Sequence, residues 1–369
     1  MIARILALMK KEFLALLKDK KGRMILILPP ILQLMVFGYA ATYDLKDVPY
    51  AIYNQDPGRA SRDLLERFQF SPNFKLAGRL NRLEDAKDLI NRGEVLMVVS
   101  LGSRFSADLL LGRPAAVQVI LDGRNSNTAM TALGYARQII NQFNQDWSDR
   151  QGIPPPLAVL TSRAWFNPNL ESRWFIVPGL VGLLTLVVTL VVTALSVARE
   201  REEGTFDQLL VTPLRPVEML LGKALPGLII GLVEASFIGA MAVVWFKVPF
   251  LGHIGTFYLG LFFFILSAIG VGLMISSLAA TQQQGLLGAF LFLVPAVILS
   301  GYATPIANMP ELVQRLTLLN PLRYFLVVVR GIYLEGATLE VLWPQFWPMG
   351  LIGLVALIFA GWLFRHRMY

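Results

Sequence analysis

The chain contains no cysteine and only two histidines. Without cysteine there is no disulfide framework, thiolate metal site or cysteine nucleophile. His253 and His366 stand far apart in sequence, which argues against a histidine metal site or a catalytic triad. A phosphate-binding loop is missing too. It needs G-x-x-x-x-G-K-[ST], and the nearest fragment, Gly222-Lys223, is followed by Ala224 and has Val217 where the first glycine belongs. The expectation is a chain with no catalytic residues, no metal and no cofactor of its own, hence not an enzyme.

Charge is also scarce. Only 16% of the 369 residues are charged and 55% are hydrophobic, with a mean hydropathy of +0.57, whereas soluble domains average about 25% charged. The net charge of +8 does not indicate nucleic acid. Residues 44–173 hold 16 Lys/Arg against 14 Asp/Glu, and the basic excess sits in short segments beside apolar runs, as membrane topology requires.

What is abundant is apolar sequence in long runs. A helix needs about 20 mostly apolar residues to cross a bilayer, and six segments qualify: Met24–Tyr43, Trp174–Ala198, Ala224–Phe246, Thr256–Ala279, Leu286–Ala303 and Phe346–Phe364. The short segments on the side of the N-terminus carry 13 Lys/Arg against 4 opposite, so both termini are expected in the cytoplasm. Because 23 residues precede the first run, it reads as a retained span, not a cleaved signal peptide.

Residues 1–23 form a cytoplasmic amphipathic helix, with Ile2, Ile5, Leu6, Met9, Phe13, Leu16 and Leu17 at helical spacing and Arg4, Lys11 and Lys18 opposite. Such a helix suits membrane lipids at the inner interface, or serves simply as a topogenic anchor. Residues 44–173 read as an external α/β domain. Strands are expected at Tyr50–Tyr53, Lys75–Ala77, Val95–Ser100 and Val117–Leu121, with helices between them and a longer one over Thr128–Ser148. Residues 174–369 hold five further spans. Between the last two, prolines at 305, 310, 321 and 344 break residues 304–344 into short external or re-entrant helices.

The second span runs into REREEGTFDQLL, residues 199–210, inside a cytoplasmic segment 199–223. Glu200, Glu202, Glu203 and Asp207 with Arg199 and Arg201 make an acidic face, while Phe206, Leu209 and Leu210 make an apolar one, and Pro213 and Pro216 limit the length. Either this is a solvated loop or it is a docking helix for a protein partner. Anionic lipid would repel its carboxylates. Glu234 is the one carboxylate deep in a span, a candidate for the transport path or for an internal polar contact with Gln33, Thr185 or Thr189. Gln282, Gln283 and Gln284 read as a tight turn, and Trp343, Trp347 and Trp362 as interfacial aromatics.

REREEGTFDQLLVTPLRPVEMLLGK, with its E-R-E-x-G-T pattern, resembles the segment after the second span of ABC-2 type transporter permeases. So do KKEF at 10–13, PYAIYNQD and the D-G-x-x-S-N of 122–127, WFNPNLESRWFIVPGL, SGYATPIANMP and NPLRYF. The resemblance covers the whole chain in order and favours the subgroup with a large external domain between the first two spans. It implies a six-span permease subunit of an exporter in the bacterial inner membrane, paired with a second permease subunit, identical or related. It further implies a cytoplasmic ATPase partner that binds ATP and Mg, and use of a periplasmic adaptor in some members. The coupling helix that meets the ATPase would include Glu200, Arg201, Glu202, Glu203, Gly204, Thr205, Phe206 and Leu209, and the connecting helix Lys10, Lys11, Glu12 and Phe13. A receptor with an external ligand-binding domain is the main alternative. An ion-driven transporter ranks lower, since only one intramembrane carboxylate is evident.

Overall fold

The computed structural model describes residues 2–18, 20–40, 45–152, 165–167, 171–206 and 215–366. The chain divides into two compact units, 1–41 with 164–369, and 42–163.

In the smaller unit, alternation of apolar side chains along β1 (Val48–Asn54), β2 (Phe74–Arg79), β3 (Met97–Leu101) and β4 (Val117–Leu121) builds one sheet of order β2-β1-β3-β4. The first three strands are parallel and β4 is antiparallel to β3. Period-two spacing sends Tyr50, Ile52, Met97, Val99 and Leu101 to one face, where they meet Phe68 of α3 (Arg59–Gln69) and Phe143 of α6 (Ser126–Gln151). Ala51 and Val98 face the other way, onto Ala86 of α4 (Asp85–Asn91). Helix α5 (Phe105–Leu110) follows β3. Asn125 caps α6 by accepting from Thr128 N, and Gly152, at φ +63°, ends it in the left-handed region.

At the end of β1 the chain turns at Asp56, which is buried. Burial works to raise the carboxyl pKa, but hydrogen bonds from Ser106, Ser61 and the Gly58 amide outweigh it and hold the group below its ordinary value. Ser106 Oγ donates to Asp56 Oδ2, and Ser61 N donates to Ser106 Oγ at 3.3 Å. The carboxylate thereby ties the start of α3 to α5.

The larger unit is helical: α1 (Ile2–Lys18), α2 (Lys20–Ala40), α7 (Ser172–Glu202), α8 (Pro216–Val244), α9 (Ile254–Leu278), α10 (Gln282–Ile298), α11 (Glu311–Leu316), α12 (Pro321–Arg330), a π-helical turn Gly331–Glu335, and α13 (Leu339–His366). Among the described residues four helices, α7, α8, α9 and α13, are long and apolar enough to cross a membrane. A fifth candidate is the pair Glu311–Leu319 and Pro321–Glu335, bent by 83°. The expected first and fifth spans appear as shorter apolar helices, Ile27–Tyr39 and Gln282–Ile298.

Helix α7 is the hub, buried along most of its length. Glycines let neighbours approach closely. A Cβ on Gly182 would meet Phe325 at 2.8 Å, and one on Gly227 of α8 would meet Thr193 at 2.7 Å. Helices α9 and α13 approach closely where Gly353 lies against the Ser267 backbone, and Ser267 Oγ donates to Met349 O at 2.6 Å. Phe264 of α9 stacks on Phe325 of α12 at 4.3 Å and 10°.

Several boundaries differ from the sequence reading. The fifth apolar run ends at Ile298, not Ala303, because Gly301 takes φ +84° and Asn320 Nδ2 donates to Ala296 O at 2.6 Å. Gln282–Gln284 are not a loop turn but the first turn of α10, capped by Thr281 Oγ1 accepting from Gln284 N. The last helix starts at Leu339 and takes in Pro344 and Pro348, so residues 339–344 are not among the short helices. Helix α1 buries Ile5, Leu8, Glu12 and Leu16, while Ile2 and Leu6 are exposed. Its protein-facing stripe is therefore rotated from the apolar face seen in sequence.

Replacing Asp56 with Asn should destabilise the β1–α3 region by about 1–3 kcal/mol at neutral pH. A carboxyl lowered on folding stabilises above its unfolded pKa of about 3.9 and loses that contribution as pH falls through the folded value. The gap between parent and variant, read by hydrogen exchange of the β1 and α3 amides, should therefore close in acid.

Candidate functional site

The charged stretch at 199–206 is not a separate loop. Helix α7 continues unbroken to Glu202, and Gly204, at φ +68°, ends it while Thr205 N donates to Glu200 O at 2.9 Å. The consequence is that its side chains fan out from one rigid helix end, and each reaches a different helix.

Glu200 points inward. It is buried, with Lys223 Nζ of α8 at 2.5 Å from Oε2 and Lys11 Nζ of α1 at 2.7 Å from Oε1. Lys223 also lies 2.8 Å from Glu12 Oε1, and its side chain is only 2% exposed. Ser196 Oγ of α7 donates to Glu12 Oε2 at 3.4 Å. Two lysines and two carboxylates thus neutralise one another where α1, α7 and α8 meet, the arrangement that makes buried charge tolerable. A second pair flanks it: Arg4 lies 3.9 Å from Glu218, whose carboxylate accepts from Arg215 N at 2.9 Å and caps α8.

Arg201 Nη1 donates to Ser277 O at 2.9 Å and Ala279 O at 3.1 Å, carbonyls at the C-terminal end of α9 that have no partner within the helix. Its guanidinium lies 5.0 Å from the Phe206 ring centroid. Glu202 Oε2 accepts from Gln282 N at 2.7 Å, at the start of α10, where the helix dipole favours an anion. Phe206 packs edge-on against Phe364 of α13 at 5.5 Å, within a cluster with Leu8, Val197 and Met219. One helix end therefore fastens α1, α8, α9, α10 and α13.

The expected contact residues separate into two groups. Glu202, Glu203 and Gly204 are exposed and Thr205 is half-buried, whereas Glu200 and Phe206 are buried and cannot present a surface as they stand. Leu209, with Asp207 and Leu210, lies outside the described residues. On α1, Lys10 and Lys11 are exposed, Phe13 is half-buried and Glu12 is buried. Sequence reasoning passed over Lys223 and Ser196. The available signal was Glu12, a lone acid on the helical stripe of Ile5, Leu8 and Leu16, which requires a cation opposite.

Glu234 sits inside α8 with both carboxylate oxygens buried and, among the described residues, without a hydrogen-bond partner, and the hydroxyls of Thr185 and Thr189 are in the same state. Gln33 instead lines a cavity of about 570 Å³ with Pro29 and Pro30 of α2, Leu184 and Val191 of α7, and Phe290 of α10. Among the described residues no three His, Asp or Glu side chains converge as a metal site.

The family pattern described as "ABC-2 family transporter protein" matches residues 20–362. The chain is 39% identical over 369 residues, all of both chains, to "Probable multidrug ABC transporter permease YbhR" of Escherichia coli strain K12. It is 30% identical over 339 residues to the same organism's "Probable multidrug ABC transporter permease YbhS", covering 90% of this chain and 89% of that one. To "Inner membrane transport permease YhhJ", also of that strain, it is 29% identical over 347 residues, 93% and 92% of the two chains.

Replacing Lys223 with Met leaves two carboxylates facing each other and should cost about 3–5 kcal/mol. The chain has no cysteine of its own, so a disulfide between Cys introduced at Leu8 and at Gly222, which touch in the fold, reports the seating of α1. Cross-linking should proceed in the parent background and fall by about tenfold with Lys223→Met. Adding Glu12→Gln and Glu200→Gln should recover part of the loss.

Proposed function

The chain belongs to the ABC-2 family of transporter permeases, and from that premise we propose that it is the membrane subunit of an exporter driven through the end of α7. Permeases of this family are membrane subunits, and ATP is hydrolysed by a separate ATPase. The observation that carries the proposal is the Lys223 junction. A force on the exposed turn Glu202–Thr205 acts on a helix end already bolted to α1 by Lys11 and to α8 by Lys223. Movement there must shift α7, the most buried of the four long apolar helices, against its neighbours.

In this reading the α1 end of the bundle faces the cytoplasm, six spans cross the inner membrane, and residues 44–173 form an external domain that shapes the exit or meets a periplasmic adaptor. Two permease subunits pair, and ATP-driven closure of the ATPases biases the pair between inward-open and outward-open states. Such bias requires that the ATPase contact the two states with different affinity, which a stiff junction provides and a solvated loop does not. The multidrug names of the relatives and the apolar cavity between α2, α7 and α10 support a lipophilic substrate.

The test is co-purification in detergent with the ATPases encoded beside the permease. Glu203 is exposed, and Glu203→Arg should weaken retention by about tenfold with the fold intact. Lys223→Met should retain the ATPase yet lose substrate stimulation of ATP hydrolysis. Absence of any ATPase from the parent preparation would refute coupling at this surface.

A further inference from the structure

Among the described residues, Glu234 supplies two, and Thr185 and Thr189 one each, of four oxygens along α7 and α8 that are buried without a hydrogen-bond partner. Helices α7 and α8 run antiparallel in a register fixed by two close approaches: a Cβ on Gly227 would meet Thr193, and one on Gly231 would meet Thr189 Oγ1 at 2.6 Å. One further turn along each helix brings Glu234 level with Thr185. Thr193 satisfies its own hydroxyl on Thr189 O at 2.7 Å. Thr185 Oγ1, Thr189 Oγ1 and both Glu234 oxygens do not find a partner.

Among the described residues no basic side chain hydrogen-bonds this acid. Lys223, on the same helix, is about three turns or 16 Å away and already holds Glu12 and Glu200. Helix α9 has no charged residue anywhere, and α7 has none between Trp174 and Ala198. A buried ionisable group without a partner is retained at a cost in stability. An ammonium group would answer all of these atoms at once, because it supplies positive charge and N–H donors that an ionised carboxylate and both hydroxyls can accept. Access does not require the helices to part. Glu234 as a residue is only partly buried, and its neighbours Val233 and Phe237 are exposed on α8, so the carboxylate lies beside an exposed flank of the helix.

We propose that Glu234, Thr185 and Thr189 form a binding site for a hydrogen-bond-donating organic cation, a primary ammonium group on a lipophilic molecule. The carboxylate pairs with the charge and the two hydroxyls accept from its remaining N–H groups. This deepens the permease reading and rests on it for its role in transport, but not for its detection.

The experiment uses the full-length chain in detergent micelles and two fluorescent probes, dansylcadaverine, a lipophilic primary amine, and its N-acetylated, uncharged form. The parent should bind the amine saturably and about tenfold more tightly than the acetylated probe. Glu234→Gln should bring that ratio close to one, and Thr185→Val with Thr189→Val should weaken amine binding about threefold to tenfold. Equal affinity of the parent for both probes, or an unchanged ratio in Glu234→Gln, overturns the proposal. A second readout needs no variant: dicyclohexylcarbodiimide modification of Glu234, followed by mass spectrometry, should be slowed by the amine and not by the acetylated probe. Equal modification with either overturns it as well. No ATPase enters these measurements, so failure of ATPase co-purification would refute the coupling reading and leave this one standing.

Discussion

A lysine buried between two carboxylates, Lys223 with Glu12 and Glu200, is the constraint on which the helical unit depends. Removing three or four charges from water is expensive, and mutual attraction compensates only when every partner is in place. The junction is therefore close to all-or-none. With Lys11 added, charge balances, and three elements distant in sequence must arrive together for any of them to settle. Hydrophobic contact alone would let α1 slide along its groove, because apolar packing is non-directional. The ion pairs fix its register, and Leu8 against Gly222 fixes its depth.

From that end, stiffness is carried inward by close packing and not by more charge. Helix α7 touches α8 through Thr193 and Thr189 at glycine sites, and α12 through Gly182. Small residues allow backbone approach, which gains dispersion energy where burial from lipid gains none. Hydroxyls buried in these helices can be satisfied within their own helix, as with Thr193 Oγ1 on Thr189 O at 2.7 Å and Ser277 Oγ on Leu273 O at 2.8 Å. Glu234, Thr185 and Thr189 break that rule, and for that reason they stand apart from the structural polar groups.

Much of the architecture was legible because it depends on periodicity. Period-two alternation placed β1 to β4, and long apolar runs placed α7, α8, α9 and α13, since both signals are local. Helix ends were less legible. Helix α10 stops where Asn320, 24 residues further along the chain, bonds Ala296 O. The charged stretch was recognised as unusual, yet its division of labour was not. Glu200, Arg201 and Glu202 look alike in sequence, and only the fold shows one engaging lysines, one a helix C-terminus and one a helix N-terminus. The rotation of α1 was hidden for the same reason. Its exposed apolar residues and its buried Glu12 face serve two different surroundings, and a single amphipathic wheel averages them.

The junction also has a history in time. Ribosomes deliver Lys11 and Glu12 before Glu200, which follows just over half a chain later, and Lys223 after that. Until residues 216–223 emerge, α1 has neither the glycine groove for Leu8 nor a cation for Glu12, and its charges must remain hydrated. Helix α1 is thus synthesised well ahead of its buried partner Lys223, which lies 211 residues after Glu12. Because Arg201 and Glu202 wait further still for Ser277 and Gln282, the end of α7 closes only when four later helices are in view, which makes its completion a checkpoint on assembly of the whole membrane half.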